Sequence, residues 1–141
     1  MYNSSLHFGN VGRRRFGAIA LASVALACTG LPKIALAHAS LVSSEPTDGE
    51  VLKHSPSRVT AWFEQELEET ASTIAVFDAH ERQVDDGSGG VDLYDPDHAS
   101  MTAMVTVALV AGRYAVRWIA TSAADGHSGH PSGGEYFFEV R

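Results

Sequence analysis

With ten basic and seventeen acidic side chains among 141 residues, the chain carries a formal net charge of −7. That length suffices for one domain with its own core, and the anionic balance argues against nucleic acid, whose phosphates need clustered Lys and Arg. Cations are the natural ligand class for such a surface.

The first 37 residues read as an export signal and not as fold. Arg13-Arg14-Arg15 supplies a basic stretch, Phe16 to Pro32 is uncharged, and Ala35-Leu36-Ala37 is a small-residue cleavage site. The apolar part, Ala18 to Cys28, is shorter than the roughly 20 residues a bilayer span needs, so no stable membrane anchor is expected after cleavage. Arg13-Arg14-Arg15-Phe16 suits a twin-arginine signal, and the general secretory route fits a basic start equally well. Ala25-Leu26-Ala27-Cys28 has the outline of a lipoprotein box in a poor residue order; its use would leave His38 internal. Cleavage after Ala37 leaves a domain of residues 38–141 with six basic against seventeen acidic residues, a net charge of −11, and no cysteine. It also makes His38 the first residue. A terminal histidine offers one metal ion both its α-amine and its imidazole, whereas an internal histidine has only an amide nitrogen beside its ring.

Beyond His38 the pattern is that of β-strands. Ser57 to Glu64 alternates, with Val59, Ala61 and Phe63 on one face. Thr73 to Phe77 is short and β-branched, and Met104 to Leu109 sets Val105, Val107 and Leu109 together. Tyr114, Val116, Trp118 and Ala120 share a face, as do Tyr136, Phe138 and Val140. Turn signals separate these runs, at Pro46-Thr47-Asp48-Gly49, Asp95-Pro96-Asp97 and Ser132-Gly133-Gly134 among others. Glu64 to Ala71 is ambiguous and suits a single helical turn, while the acidic, Gly-rich segment 85–98 reads as a mobile surface loop. The expected fold is an all-β Greek-key sandwich or barrel of about seven strands, immunoglobulin-like. Leu109-x-x-Gly112-x-Tyr114 resembles a tyrosine corner.

After the strand that ends near Thr121 comes Asp125-Gly126-His127. The glycine lets the backbone turn so that both flanking side chains can face one point. With His38-Ala39-x-Leu41, Ser44-x-Pro46-x-Asp48-Gly49, Trp62-Phe63-Glu64, Gly112-x-Tyr114-x-Val116-x-Trp118, Ser122-Ala123-x-Asp125-Gly126-His127 and Phe137-Phe138-x-Val140, the chain beyond the signal resembles the CopC family of periplasmic copper-binding proteins. The resemblance implies a Cu(II) site made of the His38 amine and imidazole, Asp125 and His127, with Glu64 as an outer or axial ligand. It also implies a role in copper resistance, homeostasis or transport, a periplasmic location, and an inner-membrane copper transporter of the CopD type as partner. The chemistry agrees: three nitrogens and a carboxylate oxygen suit the tetragonal preference of Cu(II), which heads the affinity order of the divalent ions.

The departures from the family matter too. Many relatives carry a methionine-rich loop for Cu(I); beyond the signal this chain has only Met101 and Met104, read as ordinary strand or core residues facing opposite sides. That points to Cu(II) alone. The segment Ser128-Gly129-His130-Pro131 inserts residues where relatives go quickly into the last strand, and His130 within it is read as a loop histidine or an extra ligand. His54, His80 and His98 are read as surface residues, with His54 and His98 able to form a weak adventitious site. The competing functional class is a copper monooxygenase, which shares the terminal-histidine arrangement but needs an open position for oxygen; a coordinating Asp125 would fill that position and favours a non-enzymatic binding protein. A third class is an immunoglobulin-like accessory module that binds no metal.

Overall fold

The structure, a computed structural model, describes residues 39–124 and 130–141. Their strands are β1 (Leu41–Glu45), β2 (Val51–Leu52), β3 (Arg58–Phe63), β4 (Thr73–Phe77), β5 (Gly90–Val91), β6 (Ser100–Met104), β7 (Gly112–Ala120) and β8 (Ser132–Val140), with one 3₁₀ turn at Glu69–Ala71. They hydrogen-bond as one sheet in the order β1-β3-β6-β5-β4-β7-β8-β2. Only the β2–β8 pairing is parallel. The all-β expectation holds, in the form of a single sheet curled into a half-barrel. The short β5 joins its two halves, pairing with β6 on one side and β4 on the other. Gly89, just before β5, lies so close to the Ile74 carbonyl that a Cβ there would sit 1.9 Å from its oxygen. The passage between the halves therefore needs glycine.

Alternation decides what fills the interior. Val59, Ala61 and Phe63 of β3 and Met101 and Ala103 of β6 face Ile74, Val76, Val116 and Phe138 from the other half, all of them buried. Removing such residues from water stabilises by about 1.5–3 kcal/mol per large side chain. Phe63 meets Trp118 edge-on at 5.2 Å between ring centroids, and Tyr114 stacks on Phe138 at 5.5 Å. Tyr136, Phe138 and Val140 all point inward, as the period-2 pattern required. Met101 is buried and Met104 exposed, the opposite facing expected of them. The tyrosine corner also forms: the Tyr114 hydroxyl donates to the Val110 carbonyl at 2.7 Å.

Three expectations fail, the first being the turn expected at Ser132-Gly133-Gly134, which is the start of β8 and pairs with the end of β7. Met104 to Leu109 is not a strand; β6 ends at Met104, and only Val105 continues the pairing, donating its N–H to the Ser57 carbonyl. Further on, the Leu109 N–H donates to the Ser55 hydroxyl oxygen at 2.8 Å, a side-chain bond in place of the ladder. Val107 is consequently 71 % exposed. The 85–98 segment is not a mobile loop either, because it contains β5 and its aspartates organise its turns. Asp86 accepts from Ser88, Asp92 from the Tyr94 N–H, and Asp95 from the Asp97 and Ala99 N–H groups and the Ser100 hydroxyl.

Candidate metal centre

The half-barrel has two ends of different character. The entry end holds Ala39, the ends of β3 and β7, and the starts of β6 and β8; the far end holds the ends of β4 and β6 and the start of β7. At the entry end, Ala39 is buried and its carbonyl accepts the Ser132 hydroxyl at 2.8 Å. The same hydroxyl lies 3.2 Å from the Ala120 carbonyl. One side chain thus ties the residue after position 38 to the end of β7 and the start of β8. Ser40 faces the other way, its carbonyl accepting the Glu64 N–H at 3.0 Å.

The segment after β3 crosses this end. Leu67 is buried and forms an isolated bridge to Ser122; its N–H donates to the His98 carbonyl. The Glu68 N–H reaches the Thr121 carbonyl, and the Ala123 N–H reaches the Glu66 carbonyl, at 2.8 and 2.9 Å. Ser72 and Thr121 are joined as well: the Thr121 N–H donates to the Ser72 hydroxyl oxygen at 3.0 Å. Residues 121–124, which lead into the Asp-Gly-His segment, are held by backbone and hydroxyl bonds before that segment begins.

His38, Asp125 and His127, the residues expected to ligate, lie outside the described residues. Glu64 is described; it is exposed at the entry end, beside Ser40. His130 is exposed just ahead of β8 at this same end, and His98 lies here too. His54 and His80 belong to the far end. His54 and His98 therefore sit beyond opposite ends of β3, a six-residue strand spanning about 20 Å at the usual rise. They cannot share an ion, which overturns the suggestion that they could. Among the described residues no three His, Cys, Asp or Glu side chains converge to hold a metal. Sequence reasoning passed over two residues of this end. Ser132 reads only as turn punctuation, and Gln65, whose buried Oε1 has no hydrogen-bond partner, reads as one more polar residue in an acidic run.

Electrostatics separate the ends further. Glu64, Glu66, Glu68 and Glu69 lie on the crossing segment, and Asp92, Asp95 and Asp97 on the loop before β6. None of these carboxylates pairs with Lys or Arg among the described residues. The far end and mid-barrel carry the pairs. Asp78 accepts the His80 and Arg82 N–H groups and the Arg82 guanidinium, which together hold its carboxyl down at about 2. Arg117 is clamped by Glu81 and Glu135, lies over the Phe77 ring, and holds the Glu81 carboxyl below its usual range.

A small curled all-β domain with an uncompensated acidic end, onto which the chain entry and the β7–β8 connection are tied, is the class of protein these features define. The family profile described as the CopC domain matches residues 41–141, and the chain belongs to the CopC family. It is 31 % identical over 110 residues to the copper transport protein CutJ of Bacillus subtilis (strain 168), spanning 78 % of this chain but only about a fifth of that protein (19 %). Among solved structures, CopC from Methylosinus trichosporium OB3b is similar, with a TM-score of 0.61 and 25 % identity over 73 % of this chain and 93 % of that one. PcoC, a methionine-rich copper resistance protein from Escherichia coli, is similar with a TM-score of 0.55 and 25 % identity over 74 % of this chain and all of that one (100 %). Among the described residues no helix is long and apolar enough to cross a membrane.

Proposed function

We propose that this protein is exported to the periplasm, cut after Ala37, and holds Cu(II) through the His38 amine and imidazole, Asp125 and His127, acting in copper resistance, homeostasis or transport. Glu64 serves as an outer or axial ligand. The observation that carries the reading is the Ser132 hydroxyl tying Ala39 to Ala120, since it brings the neighbour of residue 38 to the strands that flank the Asp-Gly-His segment. The relatives' names, copper transport and copper resistance proteins, support copper as the cargo.

The donor set suits Cu(II), and the acidic entry end adds a salt-screened attraction for a cation. Ligation by the amine requires loss of its proton, so affinity falls in acid as the proton competes. With Asp125 completing the ligand set, the site holds its ion and does not activate oxygen; the protein is a carrier, and a membrane transporter of the CopD type is the partner to which copper passes. Cu(I) has no thioether cluster here, because Met101 is buried and Met104 sits on the outer face of β6.

The test is Cu(II) titration of exported protein, with its mass measured to locate the cut and EPR to count nitrogen donors. Adding one residue ahead of His38 should lower affinity by orders of magnitude. Unchanged affinity in that variant removes the terminal amine from the site.

A further inference from the structure

The outer face of β3, β6 and β5 holds a feature that copper binding does not use. Arg58 and Trp62 are exposed on β3, opposite Met104 and Ser100 of β6, while Thr60 between them and Ser100 itself are buried. Leu93 and Tyr94 follow β5 and stand beside these strands, leaving a groove of about 400 Å³ floored by Thr102 and Met104 and edged by Val91 and Arg58. Among the described residues, five of the nine exposed large apolar side chains lie on this half of the sheet, Val42, Trp62, Leu93, Tyr94 and Met104, and the last three line the groove. Scattered apolar exposure needs no explanation, but a patch of this kind with a polar rim marks an interaction surface.

Tyr94 is 97 % exposed, yet it does not stand on a loose tip. Its N–H donates to Asp92 at 2.9 Å, the Asp92 N–H donates to the Ser100 carbonyl at 2.9 Å, and Asp95 fastens the following turn to Ser100. Bracing of this sort removes the ordering cost that a loop otherwise meets on association, and aromatic side chains beside a pocket are the usual energetic centres of interfaces. Nothing in the core needs that ring.

Charge selects the occupant. Glu64 lies two positions beyond Trp62, and Asp92, Asp95 and Asp97 flank Leu93 and Tyr94, with Arg58 the one cation at the groove's edge among the described residues. An anionic lipid surface would be repelled, as would a second copy bearing a net charge of −11 beyond the signal. We propose that this face docks a basic segment of another protein, with an apolar side chain in the groove beside Tyr94 and flanking Lys or Arg against Asp92 and Asp97. The inference stands on the sheet face and is independent of the copper ligands.

The probe is an amidated hexapeptide of alternating arginine and leucine, titrated into ¹⁵N-labelled exported protein. Amide shifts should concentrate in residues 58–62, 91–94 and 100–104. The double variant Leu93→Ser/Tyr94→Ser should weaken binding about tenfold or more, and raising salt to about 0.5 M should weaken it further. Glu66→Gln/Glu69→Gln, at the entry end, should change affinity less than about twofold. Shifts spread over all acidic segments in proportion to charge, or unchanged affinity in the double variant, overturn the proposal. Tyr94-dependent self-association in sedimentation, or binding to phosphatidylglycerol vesicles, overturns it in favour of a second copy or a lipid surface. The double variant should bind Cu(II) as the parent does, so a negative result here leaves the copper reading standing.

Discussion

The two ends of the half-barrel solve the same structural problem with different chemistry. At the far end, turns are closed by ion pairs and side-chain caps: Asp78 with Arg82, Glu81 with Arg117 of mid-β7, and Tyr114 with the Val110 carbonyl. At the entry end, the chain is stitched by backbone N–H groups and serine or threonine hydroxyls, and the carboxylates are left without Lys or Arg among the described residues. Neutral stitching holds the fold while leaving negative charge without Lys or Arg among the described residues, which suits the Cu(II) site proposed for this end. An Arg at the entry end would satisfy those carboxylates and compete with the proposed cargo.

The comparison is broken most decisively through copper affinity. Asp125→Ala and His127→Ala should each weaken Cu(II) binding by orders of magnitude in competition titrations, while His80→Ala at the far end should leave it unchanged. Equal losses in all three would mean diffuse binding and no functional difference between the ends. Ser132→Ala tests the stitch itself. It leaves the Ala39 and Ala120 carbonyls without their shared donor, so urea unfolding should show a loss of about 1–3 kcal/mol, accompanied by weaker Cu(II) binding. A stability loss with unaltered affinity would show that the tie serves the fold alone.

Tyr114→Phe removes only the corner hydrogen bond at the far end. It should cost about 1 kcal/mol in the same unfolding measurement, with Cu(II) affinity at the parent value. The smallest effect is the far end's response to acid. The Asp78 carboxyl is held at about 2 in the folded chain against 3.8 for the free group. A lowered carboxyl contributes stability that is complete above the unfolded value and is lost as the pH falls through the folded one. Stability should therefore decline between about pH 4 and pH 2, and Asp78→Asn should flatten that decline. A variant with the parent's acid profile would show that the hairpin's charge pairs contribute nothing.

The strands were legible wherever inward and outward residues alternate strongly. Val59, Ala61 and Phe63 announced β3, and Tyr136, Phe138 and Val140 announced β8, because each inward position is apolar and burial follows directly. β6 was misread by about one strand length, since Ser100 to Met104 has weaker β character than Val105 to Leu109. Beyond Val105 the partner is the Ser55 hydroxyl and not a strand backbone, which composition near Met104 does not reveal. The aspartates of 85–98 suggested a mobile loop, but Asp86, Asp92 and Asp95 accept hydrogen bonds from backbone a few residues on, so the same residues that favour solvent also fasten turns.

For the candidate site, His38 and the Asp-Gly-His segment were visible as donor types, and Glu64 as an acidic neighbour. The roles of Ser132 and Gln65 were not, because a hydroxyl becomes a tie and an amide oxygen an orphan only when distant segments surround them.

By itself, the sequence determined the all-β class, the inward faces of most strands, the cation-seeking charge and the resemblance to the CopC family, all of which follow from local alternation and residue chemistry. Only the tertiary structure decided that Ala39 meets Ala120 through Ser132, that His54 and His98 are held apart, that the carboxylates of one end lack Lys or Arg partners among the described residues, and that Tyr94 stands on a braced turn above a groove. Each of these depends on pairings between residues far apart in the chain, and no local pattern carries the register that brings them together.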